Sequence, residues 1–414
     1  MRIEFIQEMI DVIKNKWCAH RCEKNYRKKL KALKNKDKIR VIFLVSENQK
    51  WGYQSLYEEL EASERFEPLV LISLLEGVHK GKDKTRRNLE ENYNFFKSRG
   101  MKVDYAYKDG KYVDLRKFSP DIVFYEQPWG LPKQYKPFYV SAFALTAYRN
   151  YGLAIFYDDD NYNPNFHRQL YKYFVDNKLN VKRYESYNTG NSKNCVIIGD
   201  SKLDTYFIKE NKNIKKIWKD SQKNKVIYAA HHSIGKNSSK LSTFLYHGEF
   251  ILKLARKYSD TTWIFMPHPQ LKYALINNEI MTEDEIDKYY QSWEDAGYVY
   301  TQGDYFDIFK TSDLMITDCC SFLGEYLPTG KPIIHLINPN HIEYNEFGTK
   351  IISQDYEAYN CAEIEKIFNE LVVNKNDYLK EERMKLIPEL IDFSEPSAKK
   401  IMRYLKGVLK SCER

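Results

Sequence analysis

The stretch Ser312–Pro332, SDLMITDCCSFLGEYLPTGKP, decides the fold. Leu314–Ile316 is a short apolar run that stops at a polar cluster, Thr317, Asp318, Cys319, Cys320 and Ser321. A helix-like segment carrying Glu325 follows, then a Gly330-Lys331-Pro332 turn and a second apolar run, Ile333–Ile337. The order is strand, polar turn, helix, turn, strand, which is the repeating unit of an open parallel sheet. Ligands of such sheets bind at the carboxyl ends of the strands, where helix N-termini point free N–H groups outward. The Asp318–Ser321 turn is therefore the expected seat of a phosphate.

The same alternation recurs on the N-terminal side. Val226–Ala230 ends in His231-His232-Ser233, and Thr262–Met266 ends in Pro267-His268-Pro269, with a helix over Phe250–Tyr258 between them. Earlier still, Val41–Val45, Leu69–Ile72, Val103–Ala106 and Asp121–Tyr125 read as buried strands, with helices over Ser55–Ala62 and Arg86–Ser98. The expectation is an α/β protein of GT-B architecture, two Rossmann-like domains facing a cleft. Its parts are a basic helical segment (1–38), an N-terminal acceptor domain (39–190) and a C-terminal nucleotide-donor domain (191–395). The strand Cys195–Ile198 opens the donor domain, and a last helix (396–414) crosses back to the first domain.

A chain of 414 residues is long enough for two cores of this kind. No apolar run approaches the roughly 20 residues of a spanning helix. Glu4, Glu8 and Asp11 interrupt any signal-peptide pattern. Seven cysteines, an odd number without metal-ligand spacing, fit a reducing cytosol. The net charge of +8 is uneven, with Lys and Arg crowded between Lys14 and Arg40, after Phe5, Met9, Ile10, Ile13 and Trp17 at helical spacing. Two readings stay open for that segment. It lies on an anionic membrane surface as a peripheral anchor on the cytoplasmic face, or it packs its stripe on the body with its charges in water. No nucleic-acid module accompanies the charge, so nucleic acid is not an expected partner.

Three strand ends carry the candidate site: His231-His232-Ser233, His268 and Asp318–Ser321. In a parallel sheet these ends share one edge. Histidine supplies N–H donors or a positive charge to a diphosphate, serine and backbone N–H groups do the same, and Glu325 suits a ribose diol.

Met266-Pro267-His268-Pro269, the run Ser312–Ser321, Glu325-Tyr326 and Lys331-Pro332 together resemble the CDP-glycerol glycerophosphotransferase family of teichoic-acid and capsule-type polymer enzymes, over residues 193 to 350. The resemblance implies transfer of a polyol phosphate from a CDP-activated donor to a hydroxyl of a cell-surface polymer or its lipid-linked precursor, with CMP leaving and no cofactor. His268 then faces the donor diphosphate beside His231, His232 and Ser233. The turn Thr317, Asp318, Cys320 and Ser321 holds phosphate, and Glu325 faces the ribose. The sequence departs from the family in two places. Its Tyr-Ser-Ser is Cys319-Cys320-Ser321 here, so backbone N–H groups are left to hold the phosphate. Its Trp-His-Gly segment is missing, and the corresponding region is Tyr148–Gly152 followed by Asp158–Asp160 and His167.

Arg149 is the resulting candidate for an acceptor phosphate, with Glu126 as a second acceptor-side residue. His167 or Asp158 is the candidate base, alongside His268 and His232 as catalytic groups. Asp158–Asp160 as an exposed acidic turn and Glu126 as a packing corner are the alternatives. At the level of function, a GT-B glycosyltransferase or epimerase using a UDP-sugar, and a non-catalytic nucleotide-binding subunit, remain open.

Overall fold

The computed structural model describes residues 2–76, 82–150, 152–153, 155–156, 164–188, 191–207, 217–220, 223–235, 238–301, 305–392 and 394–410. The chain forms two compact units. The first comprises residues 1–152, 158–204 and 393–414, the second residues 153–157 and 205–392.

The first unit is built on seven parallel strands: β1 (Ile39–Val45), β2 (Phe66–Ile72), β3 (Val103–Tyr105), β4 (Ile122–Tyr125), β5 (Leu145–Arg149), β6 (Lys172–Val175) and β7 (Cys195–Ile197). They lie in the order β3-β2-β1-β4-β5-β6-β7. β1 is central and almost wholly buried, which is why it reads as an unbroken apolar run. Its Phe43 lies opposite Val70 on one side and Phe124 on the other.

Helices α1 (Arg2–Lys34), α2 (Gln54–Glu61) and α3 (Lys82–Lys97) belong to this unit. α1 docks through Cys22, Tyr26 and Leu33, all in the core. Asp121, at the start of β4, ties it down: its buried carboxylate takes Lys29 at 2.9 Å, Lys36 at 2.5 Å and the Arg40 amide at 2.9 Å. Part of the basic segment thus serves the body, although Ile13 and Trp17 stay exposed. Among the described residues no helix is long and apolar enough to cross a membrane. The C-terminal helix Ser397–Val408 also belongs here. Asp204 caps it, accepting from the Ser397 amide at 2.6 Å, the Ala398 amide at 3.0 Å and Ser397 Oγ at 3.0 Å.

The strand around Cys195 corrects an expectation. It does not open the second domain but closes the first sheet, paired with Tyr173–Val175. The boundary therefore falls after Asp204 rather than at 190.

The second unit has six parallel strands: β8 (Asn224–Ala230), β9 (Thr261–Pro267), β10 (Tyr298–Val299), β11 (Leu314–Thr317), β12 (Ile333–Leu336) and β13 (Tyr356–Ala358), in the order β10-β9-β8-β11-β12-β13. Helices α4 (Phe244–Lys257) and α5 (Cys320–Tyr326) follow β8 and β11. Tyr228, Trp263, Phe265, Trp293 and Phe368 fill its core. Counted from the first strand of each unit, both sheets run 3-2-1-4-5-6, the doubly wound order, with a seventh strand added at the end of the first. The strand order reverses between β1 and β4 in one unit and between β8 and β11 in the other. Chains leaving those neighbouring strands diverge to opposite faces of the sheet and open a crevice at their carboxyl ends.

Candidate functional site

In the second unit the crevice is braced by one carboxylate. Asp318 leaves β11 with its side chain 2% exposed. One oxygen accepts from the His231 amide at 2.6 Å, the other from the Thr243 amide at 2.6 Å and Thr243 Oγ1 at 2.9 Å. Asp318 thereby joins the end of β11 to the end of β8 and the start of α4. Burial pushes its carboxyl up to about 6 against the pull of these donors, so it is ionised at neutral pH. Thr317 is also used locally, donating to the Ala229 carbonyl and accepting from the Cys319 amide.

The loop held in this way presents three imidazoles. Ring centroids of His231 and His232 are 4.5 Å apart, those of His232 and His268 3.9 Å, and those of His231 and His268 5.4 Å. His231 Nδ1 accepts from the Ser233 amide at 3.2 Å and lies 2.8 Å from Ser233 Oγ. That hydroxyl oxygen already accepts from the Leu241 and Ser242 amides, so its proton points at Nδ1. His268 Nδ1 accepts from the Gln270 amide at 3.1 Å. A ring nitrogen that accepts carries no proton, so both neutral rings carry theirs on Nε2. Burial pushes His231 down to about 3 and His268 to about 4, helped by the neighbouring imidazoles. Both are uncharged N–H donors at pH 7, so of the two roles open to them, N–H donor or positive charge, the first is the one their surroundings favour. Half-buried His232 is also lowered by burial, and its Nδ1 has no hydrogen-bond partner.

These rings are the one group of described His, Cys, Asp and Glu side chains close enough to share a metal ion, with ring nitrogens within 4.8 Å of one another. A cation needs lone pairs, however, and those of His231 and His268 already accept amide protons. The remaining Nε2–H groups suit an anion. A cavity of about 500 Å³ is lined by Ser233, Lys240, Ser242, Tyr246, Asn338 and Asn340, and Ser233, whose Oγ meets His231 Nδ1, connects it to the rings. Its polar lining comes from the ends of β8 and β12 and the entry to α4.

Other expected donor residues take different places. Glu325 is fully buried and its carboxylate accepts from Tyr305 at 2.6 Å, so it lines no open surface for a ribose. Cys320 and Ser321 open α5 and are half-buried. Burial pushes the Cys320 thiol up to about 12, which leaves it protonated and unreactive.

The first unit carries its own carboxylate at the same topological point. Glu126 leaves β4, and its Oε2 accepts from the Ser46 and Glu47 amides at the end of β1, at 2.9 and 3.1 Å. Oε1 is buried with no hydrogen-bond partner. Burial pushes the carboxyl up to about 8, so Glu126 keeps its proton at neutral pH. Arg149 ends β5 and is buried, 4.9 Å over the Tyr53 ring and 3.7 Å from Asp200. Its charge is balanced inside the unit by Asp200, a residue sequence reasoning passed over although Gly199-Asp200 ends a strand at the same edge. Thr243 was missed too, and its signal is the Ser242-Thr243 pair ahead of an apolar helix. His167 has no exposed surface: it is fully buried among the rings of Tyr148, Phe166 and Tyr173. Asp158 lies outside the described residues.

Two doubly wound units of this order define a GT-B-like fold. No family model matches the chain, and no curated protein matches it. Solved structures do. S. aureus MnaA with UDP shares 14% identity at a TM-score of 0.54, covering 90% of this chain and 97% of that one. UDP-GlcNAc 2-epimerase from Neisseria meningitidis, bound to UDP-GlcNAc, shares 15% at 0.57, covering 89% and 100%. A glycosyltransferase from Rickettsia africae shares 12% at 0.51, covering 91% and 100%. At such identities the likeness is one of fold.

These matches correct the resemblance to CDP-glycerol glycerophosphotransferases. Structures that share the fold include UDP-GlcNAc 2-epimerases and a glycosyltransferase, and with the family fall the CDP-linked polyol donor, the polyol-phosphate transfer and the teichoic-acid setting. The physical reason lies in what the motif residues do. Thr317 and Asp318 tie strands together, Glu325 holds Tyr305, and Ser312 Oγ lies 2.8 Å from the Tyr326 hydroxyl. The pattern encodes the construction of a parallel-sheet unit rather than the identity of its ligand.

Proposed function

We propose that this protein is a nucleotide-sugar enzyme that epimerises a UDP-linked sugar at C2, with the diphosphate held by the histidines of the second unit. The observation that carries the reading is the pair of neutral Nε2–H donors on His231 and His268 at the switch point. The UDP-GlcNAc 2-epimerase structures of the same fold support the choice of nucleotide and reaction.

C2 of a hexose is not acidified by a carbonyl. Inverting it without a redox step therefore requires a base to take the C2 proton as the bond from C1 to the diphosphate breaks, which leaves a C1=C2 double bond and UDP, followed by protonation of the opposite face of C2 as UDP rejoins C1. Negative charge gathers on the departing diphosphate, and fixed N–H donors in a desolvated pocket stabilise that charge more than they stabilise the ground state. His231 and His268 can donate in this way without changing protonation state. In this reading the adjoining cavity takes the nucleoside, since its volume is in the range of small-molecule sites. The free thiols of the chain fit a reducing compartment, and we place the reaction in the cytoplasm.

The test is incubation with UDP-GlcNAc, with the C2 epimer and free UDP followed by NMR. The intact protein should form the epimer. His268→Ala should lower kcat/KM by about 10²–10³-fold, the usual cost of removing one donor to a developing anion. UDP release only when an acceptor hydroxyl is added would assign the chain to glycosyl transfer instead. Equal turnover in the variant would remove the histidines from the reaction.

A further inference from the structure

The first unit carries a second concave site, at the opposite edge of its sheet from Glu126 and Arg149. A cavity of about 520 Å³ lies between α1, the segment entering β6 and the segment entering β7. Lys172 is the first residue of β6 and Lys193 precedes β7, so the cavity sits at the amino ends of these strands. Four residues of β6 separate that edge from the carboxyl edge, about 10 Å of extended chain.

The lining is strongly cationic. Lys16, Arg27, Arg168, Lys172 and Lys193 face it with Glu23 as the only carboxylate among the described residues of the lining, and Glu23 is already paired with Arg27 at 2.5 Å. Among the described residues Lys16, Arg168, Lys172 and Lys193 have no carboxylate within ion-pair distance. Arg168 donates through Nη2 to the Tyr187 carbonyl, while its Nε is buried with no hydrogen-bond partner. Lys172 gives one proton to the Lys193 carbonyl at 3.0 Å and is half-buried, 5.5 Å from the Tyr404 ring. Cations gathered around one hollow repel one another, and the half-burial of Arg168 and Lys172 removes part of the water that would screen those two. An arrangement that gathers four unpaired cations and an orphaned guanidinium N–H is stabilised by an anion seated among them. The concave shape and modest volume favour a small molecule over a macromolecular surface.

We propose that this cavity binds a small phosphorylated ligand, a phosphate ester or diphosphate, held by Arg168, Lys172 and Lys193. The site is built from the first unit alone and does not depend on the UDP-sugar reading.

The test is calorimetric titration of inorganic pyrophosphate into the full-length protein. His268→Ala should bind pyrophosphate at this site as the parent does, and saturating UDP should not displace it. Arg168→Gln should weaken binding tenfold or more. Because Arg168 also supports the Tyr187 carbonyl, Lys193→Glu, on an exposed side chain, provides the second variant and should weaken binding in the same direction without lowering the melting temperature. Absence of binding in the parent protein, or unchanged affinity in both Arg168→Gln and Lys193→Glu, would overturn the proposal. Loss of binding in His268→Ala with retention in Lys193→Glu would also overturn it.

Discussion

At the switch point of the second unit Asp318 uses both carboxylate oxygens, taking two amides and one hydroxyl. At the same point of the first unit Glu126 uses one, taking two amides, and leaves Oε1 buried without a partner. Both groups are fully buried acids bridging the ends of strands one and four. The donor distribution separates them: one settles near 6 and is ionised, the other near 8 and keeps its proton. The ionised group locks the loop that presents the histidines. The protonated one retains an idle oxygen at the carboxyl edge of its sheet, where ligands of this fold class bind.

Removing the brace should have the largest effect. Asp318→Ala strands the His231 amide, the Thr243 amide and the Thr243 hydroxyl, and the loss should be about 3 kcal/mol or more in urea unfolding. A variant as stable as the parent would show that the carboxylate is not what holds the loop. Next is the seat of Arg149. A Cβ on Gly52 would come 1.3 Å from Arg149 Nη2, so Gly52→Ala must displace the guanidinium from its place beside Tyr53 and Asp200. Overpacking of this kind should cost about 1–3 kcal/mol, read as a lower melting temperature. An unshifted transition would mean that Arg149 moves freely.

The last effect is graded with pH, modest over any one pH unit, and concerns Glu126. Its ordinary value is 4.5 and its folded value about 8. Between them the folded state holds a proton that the unfolded state has released. Stability should therefore fall as pH rises from about 4.5 to about 8, by at most about 1.4 kcal/mol per pH unit from this group. Glu126→Gln should flatten that part of the profile. An identical slope in the variant would show that Glu126 titrates normally.

Much of the fold is legible in the sequence because buried parallel strands are unbroken apolar runs. Val226–Ala230 and Thr262–Met266 lie within β8 and β9. β5 and β6 were not legible. LTAYR and KYFV carry polar and aromatic residues, and burying Thr146 depends on the Tyr26 hydroxyl 2.5 Å away, a partner 120 residues distant. Membership of Cys195–Ile197 in the first sheet likewise depends on long-range pairing. At the site, the strand-end histidines were readable as polar groups at apolar run ends. Their charge state was not, because it is set by the amides of Ser233 and Gln270 and by burial. The Thr317-Asp318 pair read as a ligand contact because a buried polar residue looks alike in sequence whether it serves a ligand or the loop beside it.

The central claim is that neutral histidines of the second unit hold a diphosphate. Calorimetric titration of UDP and of uridine into the parent protein and His268→Ala tests it most directly. The parent should bind UDP well above uridine, and His268→Ala should lose most of that preference while its uridine affinity stays the same. No preference for UDP in the parent, or the same preference in both proteins, would contradict it.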